Sequence, residues 1–136
     1  MNDDQIREAR ERLAAALSKI PGLQASPYML GSPTPPAAHI IPTAVSFDEA
    51  MAGGLDERTF TVQVFAALGL DKGAQIVLDG FLARSGPKSV KQALESDRRL
   101  GGLVQDLRVT EMSSYNVVTL DARQMLSADF TVVVYG

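Results

Sequence analysis

His39 is the only histidine among the 136 residues, and it is the chain's one imidazole available for proton transfer or metal ligation. It follows Pro35-Pro36 at the head of an apolar run, His39-Ile40-Ile41, and no second histidine exists to join it on a metal. A Ser–His–Asp set stays open on sequence alone, but the Gly-x-Ser-x-Gly elbow that exposes a nucleophile is missing. A lone histidine is more often a packing or surface residue. Asp48-Glu49 and Asp56-Glu57 flank Gly53-Gly54 and offer oxygen ligands for a hard cation. Their order lacks the Asp-x-Asp-x-Asp-Gly spacing of a calcium loop, so a solvated hairpin tip is the expectation. Gly69-Leu70-Asp71-Lys72-Gly73 has glycines beside a lysine, yet it lacks the Walker spacing, and its aspartate would repel phosphate. With no cysteine, disulfides, thiolate nucleophiles and cysteine-based metal sites are excluded. The expectation is a protein without catalytic residues, metal or cofactor: not an enzyme.

Bulk properties narrow the classes further. A chain of this length fits one domain, residues 1–136, and should bury about two-thirds of its unfolded surface, enough for one core. Hydrophobic residues make up 46% and charged residues 21%, as in ordinary soluble proteins. The net charge of −3 argues against a surface built to grip nucleic acid, which needs many clustered cations. With 6% aromatic residues and no tryptophan, a stacking platform for single strands is not expected either. The polar start, Met1-Asn2-Asp3-Asp4-Gln5, does not read as a secretory signal, and no apolar run approaches the roughly 20 residues that span a bilayer.

Those residues must be positioned by a limited set of elements. Ile6, Ala9, Leu13, Leu17 and Ile20 recur at helical steps, which predicts an amphipathic helix over 3–20, stopped by Pro21-Gly22. Residues 21–38, with five prolines, read as a loop that lies across a neighbour or covers its own domain. A strand starts at His39, meets a bulge or edge at Pro42, and continues weakly to Phe47. The tip over 48–54 leads into a strong strand over 57–67, with Phe60, Val62 and Val64 opposite Thr59, Thr61 and Gln63. Asp71 is expected to cap a helix reaching Arg84, with Ala74, Val77, Leu78, Phe81 and Leu82 on its apolar face. Pro87 opens a third helix carrying Val90, Ala93, Leu94 and Leu100, ended by Gly101-Gly102. Three strands close the chain: 103–112, a turn at Ser113-Ser114 into 115–120, and 128–135. Helix, two strands, two helices and three strands predict an α+β fold, a mainly antiparallel sheet with about three helices on one face.

From residue 57 onward the stretches Arg58-Thr59-Phe60-Thr61-Val62-Gln63-Val64, Leu78-Asp79-Gly80-Phe81-Leu82-Ala83 and Ser85-Gly86-Pro87-Lys88-Ser89-Val90-Lys91-Gln92-Ala93-Leu94-Glu95 follow one another. Asp97-Arg98-Arg99-Leu100-Gly101-Gly102, Asp106-Leu107-Arg108-Val109-Thr110 and Asp129-Phe130-Thr131-Val132 come after them. In order and spacing these resemble the tail terminator family of long-tailed phages, particularly those of actinobacteria. Asp71-Lys72-Gly73-Ala74-Gln75, the N-terminal helix ending Ile20-Pro21-Gly22-Leu23, and Pro35-Pro36-Ala37-Ala38 before the first strand also fit. Gly73 and the segment 116–125 depart from the pattern.

The resemblance implies a tail-terminator-like fold and a homo-hexameric ring at the head-proximal end of the tail tube. Such a ring halts tube polymerisation and joins the tail to the head connector, or stopper, protein. It implies a virion protein made in the host cytoplasm, without catalysis, cofactor or membrane, through whose lumen DNA passes unbound. A compact chain of this length has a radius of gyration of about 14 Å and a diameter near ~36 Å; six such spheres closed head-to-tail leave a hole about one subunit wide. Expected contacts with neighbours are Met29, Leu30, Pro33 and Pro35 in the proline-rich loop, and Phe47, Asp48, Met51, Gly53, Gly54 and Asp56 around the hairpin tip. Apolar residues on such loops suit burial by a partner. The alternatives are another neck ring, a stopper or adaptor, and a small ligand-binding α+β module.

Overall fold

A computed structural model describes residues 2–31, 33–47, 56–68 and 72–136. The N-terminal helix α1 (Asp3–Leu17) starts at a capping box, in which Asn2 and Gln5 each accept the other's backbone N–H. Ala9, Leu13 and Leu17 turn inward, and Ile20, just beyond the helix, is buried with them. The helix stops three residues earlier than its periodicity suggests, because Ser18 Oγ takes the Ala14 carbonyl and the backbone tightens into turns ahead of Pro21.

Within the stretch expected to be loop, β1 (Gln24–Ser26) runs parallel to β2 (Ala37–Ser46). Three residues are too few to show a period. β2 bulges after Pro42, where Thr43 is left between the pairs Pro42–Phe60 and Ala44–Thr59. β3 (Glu57–Ala67) has the bounds its alternation predicts. The helices α2 (Gly73–Leu82) and α3 (Val90–Glu95) are shorter than expected. Asp71, the anticipated cap of α2, lies outside the described residues. α3 begins after Pro87, because Ser89 Oγ accepts the Gln92 N–H as its N-cap. Leu100 is buried in a separate 3-10 turn, Leu100–Gly102, to which α1 is tied by Arg12 donating to the Leu100 carbonyl.

The last third holds two long strands where three were expected, β4 (Asp106–Leu120) and β5 (Arg123–Tyr135). Ser113-Ser114 is not a turn. Ser114 takes a left-handed φ of 57° inside a bulge, and β4 runs on past it. The reversal comes at Asp121 and Ala122, with φ of 51° and 60°, a two-residue loop of the mirror-image hairpin type. Alanine is strained there, so Ala122→Gly is expected to raise stability by about 1 kcal/mol, read by urea denaturation.

The five strands form one sheet in the order β1-β2-β3-β5-β4, antiparallel except for β1 beside β2. The fold is α+β. Phe60, Val62, Val64, Leu107, Val109, Phe130, Val132 and Val134 share one core with α1, α2 and α3. Val77 was expected on that core face but is exposed, as is Ile76, because α2 turns Ala74, Leu78 and Phe81 inward, with Leu82 partly buried against the same core.

Candidate interaction surfaces

The sheet face away from the helices is organised around His39. Strand alternation puts His39, Gln63 and Asp129 side by side on β2, β3 and β5, where they are register partners. His39 is only 2% exposed. Its Nδ1 accepts the Leu30 N–H at 2.9 Å, and its Nε2 lies 2.8 Å from Gln63 Oε1. Gln63 Nε2 donates onward to Ser127 Oγ at 3.2 Å. Burial pushes the Asp129 carboxyl above the usual range, against a smaller opposing effect of His39, and its Oδ1 is buried without a hydrogen-bond partner. Both imidazole nitrogens are engaged, one by a backbone amide and the other by a glutamine.

Against His39 in this row lies the proline-rich stretch here called the strap, described at residues 27–31 and 33–36. Of the two expectations for that loop, the structure has it lying on its own sheet. Pro33 is buried, Leu30 is half-buried and bonded to His39, and Pro35 lines one groove together with Met125 and Leu68. Phe65 and Met125, on the sheet face opposite the helices, are as buried as the main core. The strap's root is fixed by Arg10 of α1, which donates to the Pro27 carbonyl at 2.8 Å and the Ile40 carbonyl at 3.2 Å, with its guanidinium 4.7 Å from the Tyr28 ring centroid. Met29 alone among the expected strap contacts stands well out, at 65% exposure.

At the other end of β2, Phe47 is 68% exposed, and the Arg58 guanidinium lies 5.9 Å from its ring centroid. Arg58 itself is buried, held by Asp56 at 3.6 Å, and its Nε has no partner. Asp56 is thus largely enclosed: its backbone carbonyl accepts the Gly136 N–H at 3.0 Å. Asp48, Met51, Gly53 and Gly54, the remaining expected contacts, lie outside the described residues.

The sheet's two edges are guarded, as isolated edges must be. Beyond its three-residue pairing with the edge strand β1, the free side of β2 is interrupted by Pro42, which removes a donor, by the bulge that follows it, and by Arg10 on the Ile40 carbonyl. On β4, side chains from α3 and the turn after it take the outward backbone groups. Glu95 Oε2 accepts the Val109 N–H at 2.9 Å, Lys91 Nζ donates to the Val109 carbonyl at 3.0 Å, and Arg98 Nε donates to the Leu107 carbonyl at 3.2 Å. Burial works against ionisation of Glu95, but the bonds from Lys91 and Val109, with the charges of Lys91 and Arg98, outweigh it and hold the carboxyl below the usual range. Arg98 also grips Asp106 with two bonds of 3.0 and 3.1 Å. Around the groove of about 380 Å³ lined by Arg84, Lys91, Arg98 and Arg108, Lys91 and Arg98 thus bond the backbone of β4, and Arg108 pairs with Asp106 at 3.5 Å. Farther along β4 two bulges interrupt the edge. A partner is left with faces and loop ends rather than a ready sheet edge.

Sequence reasoning missed Gln63, Ser127 and Asp129 as one network with His39. The two long strands carried a signal for it: polar positions that pair at His39–Gln63 and Gln63–Asp129 once register is set. No family model matches this chain, and no curated protein matches it.

Proposed function

We propose that this protein is a structural ring subunit of a phage particle, a tail terminator of which six copies close around the head-proximal end of the tail tube. The observation that carries this is the ordered run of stretches from Arg58 to Val132 that resembles that family, in sequence order and with its spacing. The α+β order of helices and strands is compatible with it. Phe47 and Met29, large apolar side chains left in water, lie toward opposite ends of β2. A ring that mates with the tube on one face and with the connector on the other needs two such surfaces. Growth would end because the second surface does not repeat the first. The acidic chain suits a lumen past which DNA slides without sticking.

Micrographs of particles made without this protein test the proposal. Overlong or headless tails are expected. Full heads lacking tails, beside free tails of normal length, would overturn it in favour of a stopper or adaptor of the neck. Phe47→Ser should give the same defective particles while the purified variant melts within about 0.5 kcal/mol of the parent, as a change at an exposed site does. Normal particles from that variant would remove Phe47 from the interface.

A further inference from the structure

We infer that neighbouring copies of this chain are joined by charge, the acidic tip between β2 and β3 of one copy lying in the cationic groove between α3 and β4 of the next. The inference rests on the reading that identical copies stand side by side in a closed ring. Such a ring joins two different flanks of the subunit, because a head-to-tail contact pairs one patch with another rather than with itself. The fold supplies two flanks at one level.

That level follows from the register. Ser46 pairs with Glu57, Glu57 with Tyr135 and Tyr135 with Asp106, so the root of the tip and the start of β4 share one row across the sheet. Another row puts Ala44 in line with Thr59, Val133 and Arg108. Within one copy the two roots are three strand spacings apart, about 14 Å. β2, with the short β1 beyond it, bounds one side of the sheet, and β4 bounds the other. Copies set side by side, without a shift along the strands, therefore bring the root of the tip to the groove.

The two flanks differ in charge. Arg84, Lys91, Arg98 and Arg108 line the groove with one carboxylate, Glu95. Asp106 adds a second, paired to Arg98 and Arg108. Four cations against two carboxylates leave a positive surplus, in a chain whose net charge is −3. Arg84 and Arg108 are exposed, and Arg84 has no ion pair among the described residues. A guanidinium presents a fork of donors that matches a carboxylate. Between Phe47 and Asp56 the sequence runs Asp48-Glu49-Ala50-Met51-Ala52-Gly53-Gly54-Leu55, with two carboxylates and no cation. These eight residues lie outside the described ones. Going out and back, a stretch of that length reaches at most about 13 Å beyond the strand ends, enough to cross onto an adjoining flank. Asp56 is already held by Arg58, so the charge offered to the groove is that of Asp48 and Glu49.

The chain has no cysteine, so Ala50→Cys together with Thr110→Cys places one thiol in the tip and one in the groove while keeping every charge. A disulfide forms only where the two Cα atoms come within about 7 Å. Oxidation of the purified whole chain is expected to give a ladder of linked copies, up to the hexamer, on a non-reducing gel. Adding Arg84→Glu and Arg108→Glu should abolish the ladder. Adding Asp48→Lys and Glu49→Lys to that variant should restore it, which a misfolded chain could not do. Raised salt should thin the ladder. A disulfide confined to monomers would overturn the inference by returning the tip to its own groove. So would dimers with nothing larger, no disulfide at all, or a ladder indifferent to charge reversal. Micrographs of particles made without the protein fail separately. Overlong tails with no ladder leave the ring and sink this contact, whereas a ladder beside full, tailless heads keeps the contact and moves the ring elsewhere in the neck.

Discussion

Phe65→Ala is expected to lower the unfolding free energy by about 3–5 kcal/mol, the cost of emptying a fully buried aromatic site. By alternation Phe65 belongs to the face of β3 that carries Thr59, Thr61 and Gln63, which in a sheet covered on one side only would meet water. It is instead 0% exposed, with its ring edge-to-face against His39 at an interplanar angle of 85°. Phe65, its register partner Ala37 and Met125 are all buried, yet none of them belongs to the main core. Urea denaturation of the variant measures the cost. A loss below 1 kcal/mol would mean that the strap leaves this face open.

The second large effect is predicted for one buried ion pair, where losing one partner and losing both have opposite consequences. Arg58 and Asp56 have side chains only 9% and 13% exposed. Removing the carboxylate with Asp56→Ala strands the guanidinium in a site where its Nε already lacks a partner, and should cost about 3 kcal/mol. Replacing both partners by apolar residues, Arg58→Met together with Asp56→Ala, removes both desolvated charges. The double variant should keep the stability of the parent or gain about 1–2 kcal/mol, because a buried pair seldom outperforms good packing. An equal loss in the single and double variants would show that the pair contributes more than its desolvation costs.

The parts of the fold legible in the sequence are those with a long, clean period. β3 alternates over eleven residues, so its bounds and both its faces follow directly. In α1 the step from Ala9 to Leu13 to Leu17 fixes the buried stripe. What escaped has local reasons. β1 is too short to have a period, and it exists because the chain beyond Leu23 pairs with the start of β2. Ser113-Ser114 looks like a turn because small polar residues tolerate left-handed backbone, and here that tolerance serves a bulge. The true reversal, Asp121-Ala122, lacks the Asn-Gly signature its conformation favours, so the beginning of β5 was hidden. Val77 fell off the core face of α2 because the helix turns Ala74, Leu78 and Phe81 inward, a choice made by packing rather than by periodicity alone.

The candidate surfaces divide in the same way. Phe47 and Met29 could be picked out as large apolar residues on loops, and both stand in water. Pro33 could be picked out only as part of a proline-rich run, and it is buried in its own chain because the strap folds back over His39. That return depends on a backbone amide, Leu30 N–H, meeting a side chain nine positions later. No spacing rule announces such a bond.

A density map of the neck of the intact particle bears most directly on the proposal that identical copies of this chain do their work by shape. The prediction is a sixfold layer at the top of the tail tube into which the polypeptide can be traced, with Phe47 and Met29 at contacts. A neck resolved to side-chain level with no layer accommodating the α1, β1–β5 order would contradict it.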